Sequence, residues 1–517
     1  MYLVTAQEMQ LMDQSTIEDF GIPGRVLMEN AGREATRIFL ETFCEASHKR
    51  IGVIAGPGNN GGDGFVMARC LGQKGLGVTV YLLAERHRVR GDAAANLKLL
   101  TPLNIPVNEI YDEKSFLTHQ AGMRHEHIWI DAIFGTGLAA EVQGFFKEII
   151  AFINQLNRPV FSVDIPSGLH SDTGQPCGEC IRAHATAAFA FAKLGHLLYP
   201  GADYTGKLEI ADIGIPPHVA DRIGPKQFLL TPPQIRNYFK PRPFTAHKGD
   251  TGHLLVVAGS PGKTGAAAMT ALSAMRIGAG LVTLAIPAGL HPALETMVME
   301  TMTHPLPETP AGSLDPSAFG VIMGLLSGKK CLAIGPGIGI SRGTATLVRR
   351  IIRETAVPLV IDADGLNCIA KSTQVLKKAG AAVILTPHPG EMSRLVDRPV
   401  KEIQADRVKH AREFSVKFNV HTVLKGARTL IAHPDGRVYV NPTGNSGMAS
   451  GGMGDVLTGI ISGLLTQGYA AEAAAHMGVF IHGACADALA DRMGPFGFLA
   501  TDVIHEIPAQ IKKFTGP

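Results

Sequence analysis

One rhythm constrains this chain more than any other feature. Short runs of almost uninterrupted apolar residues recur, most of them followed by a glycine-rich turn and a helical segment. A strand that is apolar on both faces is buried on both faces, so this repeat specifies parallel sheets covered by helices on each side. In the first half, strands are expected at 51–55, 78–82, 127–131, 160–164 and 186–191. Helical segments precede them, near 6–18 and after Pro23, a residue suited to a helix start. In the second half, strands are expected at 253–258, 281–286, 331–334, 359–362, 382–385 and 422–424. Helices are expected at 265–277, 453–465 and 470–490. The fold class is α/β, with two domains, the first a Rossmann-like three-layer α/β/α unit.

At 517 residues the chain exceeds what one hydrophobic core organises. Between 212 and 248 the rhythm lapses, and Pro216, Pro217, Pro232, Pro233, Pro241 and Pro243 crowd together as in a stiff linker. This places a boundary near 225 and domains at 1–225 and 226–517. A hydrophobic content of 45% against 18% charged excludes disorder. A net charge of +3 with scattered Lys and Arg offers no nucleic-acid face. Seven cysteines fit a reducing cytoplasm better than a disulfide framework. Cys177 and Cys180 form a CxxC, but no second pair completes a zinc site, so they read as two free thiols in a surface loop. Residues 1–20 lack the basic and apolar regions of a signal peptide, and no apolar run reaches the length of a membrane span. A cytoplasmic protein without membrane contact is expected.

The first strand runs into Gly56-Pro57-Gly58-Asn59-Asn60-Gly61-Gly62-Asp63-Gly64, a GxGxxG turn opening a helix, with Glu85 at the end of the next strand. A plain pyrophosphate loop has no use for the carbonyl oxygens of Asn59 and Asn60. Two further loops, Asp131-Ala132-Ile133-Phe134-Gly135-Thr136-Gly137 and Asp164-Ile165-Pro166-Ser167-Gly168, follow later strands. In a parallel sheet all C-terminal strand ends share one edge, so Asn60, Asp131 and Ser167 should converge there as hard oxygen donors for a hard cation. The competing reading of Asp131 and Asp164 is helix N-capping.

Together with Met28-Glu29-Asn30-Ala31-Gly32, these motifs make residues 1 to about 220 resemble the YjeF N-terminal domain, the NAD(P)H-hydrate epimerase. The resemblance implies K⁺ held through Asn60, Asp131 and Ser167. It also implies substrate contacts by Asn59, Asn60, Gly61, Gly62 and Asp63, by Gly135, Thr136 and Gly137, and by Asp164. Inverting the hydroxyl-bearing C6 of a hydrated nicotinamide needs an acid/base group within hydrogen-bond reach. Asp164 is the first candidate and Lys193 its partner, a solvated surface lysine being the competing reading of Lys193.

In the second half, Asn445-Ser446-Gly447-Met448-Ala449-Ser450-Gly451-Gly452-Met453-Gly454-Asp455 leads into an apolar helix. Consecutive glycines let amide N–H groups converge, and a following helix start adds positive potential. That is an anion hole for phosphoryl transfer, with Asp455 placed as its base. Gly262-Lys263-Thr264 mimics a P-loop, but Val257 stands where its first glycine belongs, so that reading is rejected. Gly335-Pro336-Gly337-Ile338-Gly339, Asp362-Ala363-Asp364-Gly365, Thr386-Pro387-His388-Pro389-Gly390-Glu391 and Lys425-Gly426-Ala427-Arg428-Thr429 also follow strands. The two short apolar runs behind Thr429 suggest a hairpin that could cover a nucleotide.

These motifs, with Gly278-Ala279-Gly280-Leu281-Val282, resemble the YjeF C-terminal domain, the NAD(P)HX dehydratase of the ribokinase-like superfamily. Both domains in this order resemble the bacterial bifunctional NAD(P)H-hydrate repair family. That resemblance implies NADHX and NADPHX as substrates, ADP as co-substrate, Mg²⁺, and Asp455 as general base while the Gly451–Gly454 amides hold phosphate charge. Substrate contacts are implied at Ala266, Gly337, Gly339, His388 and Asp455. Nucleotide contacts are implied at Lys425, Gly426, Ala427, Arg428 and Thr429, and at Gly451, Gly452 and Gly454. A homo-oligomer is expected. The alternatives are a ribokinase-like vitamin or sugar kinase, and an N-terminal module that binds nucleotide without catalysis.

Overall fold

Strands β1 (Arg50–Ala55), β2 (Gly77–Leu82), β3 (Val107–Glu109), β4 (Ile128–Ala132), β5 (Val160–Val163), β6 (Ala185–Phe189) and β7 (Lys207–Ala211) build the sheet of the first unit. The computed structural model describes residues 1–515. The chain divides into Tyr2–Gln227 and the part from Phe228 onward. The first sheet has the order β3-β2-β1-β4-β5-β6-β7 and is parallel throughout. Strand order reverses between β1 and β4, so the loops after these two strands part and leave a crevice at their C-terminal ends. The apolar strands are buried on both faces as expected: Ile51, Val53, Val80, Ile130 and Phe161 face one core, Ile54, Tyr81, Trp129 and Val160 the other.

Three helices position the first site. α1 (Ala6–Ser15) starts at a Thr5–Glu8 capping box, and α2 (Gly24–Thr42) follows Pro23. α3 (Asn59–Gln73) begins at Gly58 with no side chain capping its first amides. Gly61 is what allows this turn: a Cβ there would lie 1.9 Å from the Gly56 carbonyl oxygen.

In the second unit the strands are β8 (His253–Val257), β9 (Leu281–Pro287), β10 (Met302–Leu306), β11 (Cys331–Ile334), β12 (Leu359–Ile361), β13 (Val383–Leu385), β14 (His421–Leu424), β15 (Leu430–Ala432) and β16 (Val438–Val440). Their order is β16-β15-β14-β13-β12-β11-β8-β9-β10, parallel from β14 to β10, with β14, β15 and β16 pairing antiparallel. The expected hairpin is therefore present. α4 (Thr264–Arg276), α5 (Pro389–Val396), α6 (Met453–Thr466) and α7 (Ala471–Met493) carry or support the second site.

Several expectations are corrected. β3, β7 and β10 escape the apolar-run criterion because they are partly exposed edge or near-edge strands with polar residues. The proline-rich stretch is not all linker: Pro217–Ile223 and Pro232–Tyr238 are helices that use proline at their first turn, where no N–H is needed. α7 has 23 residues and a mean hydropathy of 1.2 over its most apolar window, long and apolar enough to cross a membrane, contrary to the sequence expectation. Of that window 78% is buried inside the protein, as in a core helix. Cys180 is buried rather than at the surface, and all seven cysteines are free.

Candidate functional sites

The crevice of the first unit opens into a cavity of about 440 Å³ lined by Asn59, Asn60, Asp63, Gly135, Thr136, Gly137, Asp164 and Lys193 among others. Gly61 and Gly62 are buried, and a Cβ on Gly62 would meet the Met28 side chain at 2.7 Å, so both serve close packing of α3. The strand-end loops do meet. Asp131 is wholly buried, with Oδ1 accepting from the Ser167 hydroxyl at 2.5 Å and Oδ2 from Ser162 Oγ at 2.8 Å and Ser167 N at 2.9 Å. Burial pushes the Asp131 carboxyl up, and the serine hydrogen bonds pull against that rise. Asn60 donates from Nδ2 to Phe134 O at 3.0 Å, which leaves its buried Oδ1 without a hydrogen-bond partner. An orphaned carbonyl oxygen beside a carboxylate and a hydroxyl fits a hard cation.

Lys193 is the sharpest departure from a surface reading. Its side chain is 0% exposed, and Nζ donates to Asp164 Oδ1 at 2.5 Å and to Phe189 O at 3.0 Å. Asp164 Oδ1 also accepts Phe189 N at 3.0 Å, so it does not cap a helix. Asp164 adopts φ 65°, a costly conformation for a residue with a Cβ and one found where function requires it. His196 is buried behind Lys193, and burial pulls its imidazole down to about 3. It is therefore neutral and accepts Lys193 N at Nδ1. Asp13 of α1 also lines this cavity, unnoticed in the sequence because an aspartate on an amphipathic helix looks like an ordinary solvent-facing residue.

In the second unit, α6 starts at Gly452 in a left-handed turn (φ 90°), again with no side-chain cap. Its first amides are free for an anion. Asp455 lies in this first turn. Burial raises its carboxyl to about 7, Asp362 adds to the rise, and Lys425 opposes it. Behind it is a buried network that centres on Asp362. Oδ1 accepts from Lys425 Nζ and Thr386 Oγ1, both at 2.7 Å, and Oδ2 from Thr458 Oγ1 at 2.8 Å. Burial would lower the Lys425 ammonium, but Asp362 and Glu391 outweigh it and hold it above its ordinary value. A Cβ on Gly454 would lie 3.3 Å from Lys425 Nζ, so the lysine and the amide turn are neighbours.

The Lys425–Thr429 segment is pinned from below by Arg407, which donates to the carbonyls of Leu424 at 3.1 Å and Ala427 at 2.7 Å. Sequence reading missed Arg407, which lies well before the segment in the chain. Gly426 adopts φ 145°, and Thr429 Oγ1 closes the turn on Gly426 O at 3.0 Å. The Arg428 guanidinium is turned to Pro442 O. His388 starts α5: its Nδ1 accepts Gly390 N, and its own N donates to Glu391 Oε2 at 2.8 Å. Gly337 meets α4, where a Cβ would lie 2.9 Å from Lys263 Cβ and 3.4 Å from Ala266 Cβ. Gly339 N donates to Asp364 Oδ2, which also pairs with Lys263 at 2.8 Å. A Cβ on Gly451 would enter open space, whereas one on Gly452 would meet Met269 Sδ at 2.7 Å. A larger cavity of about 1240 Å³, lined by Arg349, Lys371, Arg394 and Lys409 among others, contains none of the predicted residues.

Fold and sites define a two-site α/β enzyme: an oxygen-lined cavity with a buried Lys193–Asp164 ion pair, and an amide turn with the raised carboxyl of Asp455. Residues 24–195 match the family described as YjeF-related protein N-terminus, and residues 254–509 the family described as NAD(P)H-hydrate dehydratase. A bifunctional NAD(P)H-hydrate repair enzyme of Moorella thermoacetica is 42% identical over 98% of this chain and 96% of its own length. That of Escherichia coli is 34% identical over 97% and 92%. The ADP/ATP-dependent NAD(P)H-hydrate dehydratase of Bacillus subtilis, crystallised with ATP and Mg²⁺, is 32% identical with a TM-score of 0.49, covering 56% of this chain and 98% of its own. The chain belongs to the bifunctional NAD(P)H-hydrate repair enzymes.

Proposed function

We propose that the first unit interconverts the R and S epimers of NADHX and NADPHX and the second dehydrates the S epimer to NADH or NADPH, converting ADP to AMP and phosphate. The observation that carries this is the state of Asp455: a carboxyl raised to about 7 at the start of an uncapped helix. It is ready to take the proton of a C6 hydroxyl as that oxygen attacks the terminal phosphoryl group. The Gly451–Gly454 amides and Lys425 take up charge on the phosphates, with Mg²⁺ arriving on the nucleotide. Phosphate then leaves C6, driven by the ring nitrogen, and loss of a C5 proton restores the dihydropyridine.

In the first unit, Asp164, held by Lys193, takes the proton of the water that adds to C6. Asn60, Asp131 and Ser167 would hold K⁺, which supplies positive charge that ties the Asn59–Asp63 turn to the two strand-end loops. Ala266, Gly337, Gly339 and His388 would border the nicotinamide half of the second site, and Lys425–Thr429 the nucleotide. Seven free thiols support a reducing compartment, the cytoplasm. The test is absorbance at the dihydronicotinamide band with mixed NADHX, Mg²⁺ and K⁺. NADH is expected with ADP and not without nucleotide; no recovery with ADP or ATP contradicts the dehydratase reading. Recovery with ATP alone contradicts the choice of ADP.

A further inference from the structure

The cavity of the first unit has two walls with acidic chemistry. The strand wall carries Asp164, which is engaged: Lys193 and Phe189 N both hold its Oδ1. The helical wall carries Asp13 of α1 and Asp63 of α3. Among the described residues, neither of these carboxyl groups makes a hydrogen bond or ion pair with another side chain, although Asp63 is only 8% exposed. A buried carboxyl without a partner is costly unless a ligand or a proton compensates it. Met9 and Met28 line the same cavity, so apolar surface lies alongside these carboxyls. The charged groups that face Asp13 are Asp63, Asp164 and Lys193. Asp92 lines the same cavity. Arg222, on the helix packed against α1, is taken by Asp19 and Ser15, and His218 stacks on Phe20.

We propose that Asp13 is the second acid/base residue of epimerisation, acting on C6 from the helical wall while Asp164 acts from the strand wall. This assignment rests on the epimerase reading of the cavity. In the forward step the Asp13 carboxylic acid gives its proton to the C6 hydroxyl. The C6–O bond breaks and water leaves. The ring nitrogen lone pair forms N1=C6, a planar iminium. Water then adds to the other face, a new C6–O bond forms, the N1=C6 electron pair returns to nitrogen, and Asp164 takes the proton lost by the water. The reverse reaction uses the same two groups with roles exchanged, and the proton returns through solvent. The protonation states agree with these roles. Burial raises Asp13 to about 6, with Lys193 opposing and Asp164 adding to the rise, which suits a group that must both give and take a proton. Burial above all, then the neighbouring Asp164 and Asp13, raise the Asp63 carboxyl, with Lys193 opposing.

The test uses the full chain without nucleotide, so that only R/S interconversion of NADHX is read, by chromatography of the two epimers. Asp13→Asn is expected to lower kcat by about 10²–10⁴-fold with KM changed less than about threefold, and to remove one limb of the pH profile. ADP-dependent dehydration of S-NADHX by the same preparation is expected to be unchanged. Asp13→Glu keeps the carboxyl and is expected to restore part of kcat with a displaced pH limb, and it serves as the test if the Asn variant does not fold. Wild-type kcat and pH profile in Asp13→Asn, or an undisplaced profile in Asp13→Glu, overturns the assignment. If the wild-type chain does not interconvert the epimers, the epimerase reading falls and the assignment falls with it.

Discussion

The two sheet edges collect opposite groups. At the first, side-chain oxygens converge: Asn60 Oδ1 is left bare beside Asp131 and Ser167. At the second, backbone amides converge at the uncapped start of α6. An oxygen cluster suits a cation and an amide cluster an anion, so one architecture serves proton chemistry in one unit and phosphoryl chemistry in the other. Beneath this difference lies a shared device. A lysine pairs with one carboxylate, the buried Lys193 with Asp164 and the part-buried Lys425 with Asp362. A second carboxyl nearby is left unpaired and raised, Asp13 in the first unit and Asp455 in the second. Pairing gives one carboxylate a counter-charge; burial without a paired cation raises the other.

The largest expected effect comes from removing the tuned group of the second site. Asp455→Asn is expected to lower ADP-dependent dehydration by about 10³-fold or more while R/S interconversion proceeds at the wild-type rate. In the wild type the base must be ionised, so kcat/KM for dehydration is expected to rise with pH through about 7 and level off above it. A flat profile from pH 5 to 9 would break the comparison. Next is the paired lysine of the first site. Lys193→Met strands Asp164 without its counter-charge and is expected to abolish epimerisation and destabilise the first unit by about 3–5 kcal/mol. Differential scanning calorimetry that shows no loss of stability would place Lys193 outside the device.

Asn60→Ala removes the orphaned oxygen. Epimerisation is expected to lose its response to added K⁺, and K⁺ should no longer raise the unit's Tm; an unchanged response in both assays would locate the cation elsewhere. The smallest effect is expected from Thr458→Val, which takes one hydrogen bond from buried Asp362. A loss of about 1–3 kcal/mol in the second unit is expected by urea unfolding. Lys425 remains on Asp362, so catalysis should fall little.

What was legible in the sequence follows from where the information lies. Glycine turns and the carboxylates within them, such as Asn59–Asp63 and Gly451–Asp455, are local, and strands β1 and β4, which lead into loops of the first site, are almost entirely buried. The sharing of one edge by Asn60, Asp131 and Ser167 follows from parallel pairing alone. Partners brought together by tertiary packing were not legible. Nothing near Lys193 in the chain shows that its ammonium is buried, nor that Arg407 reaches the carbonyls of Leu424 and Ala427. Asp13 was invisible for the same reason: its helix begins with an ordinary capping box, and only the packed cavity shows which way its carboxyl faces. Edge strands such as β3 and β10 were lost because partial exposure removes the apolar signature.

Two separately tuned sites in one chain are expected to consume both epimers together. This is tested most directly by the progress curve of NADH recovery from mixed R/S NADHX with saturating ADP, Mg²⁺ and K⁺. Wild type is compared with Asp164→Asn. Wild type is expected to run to full recovery in one phase, whereas Asp164→Asn is expected to recover the S fraction at the wild-type rate and then slow to the uncatalysed interconversion of the remainder. Full recovery by Asp164→Asn at the wild-type rate would contradict this.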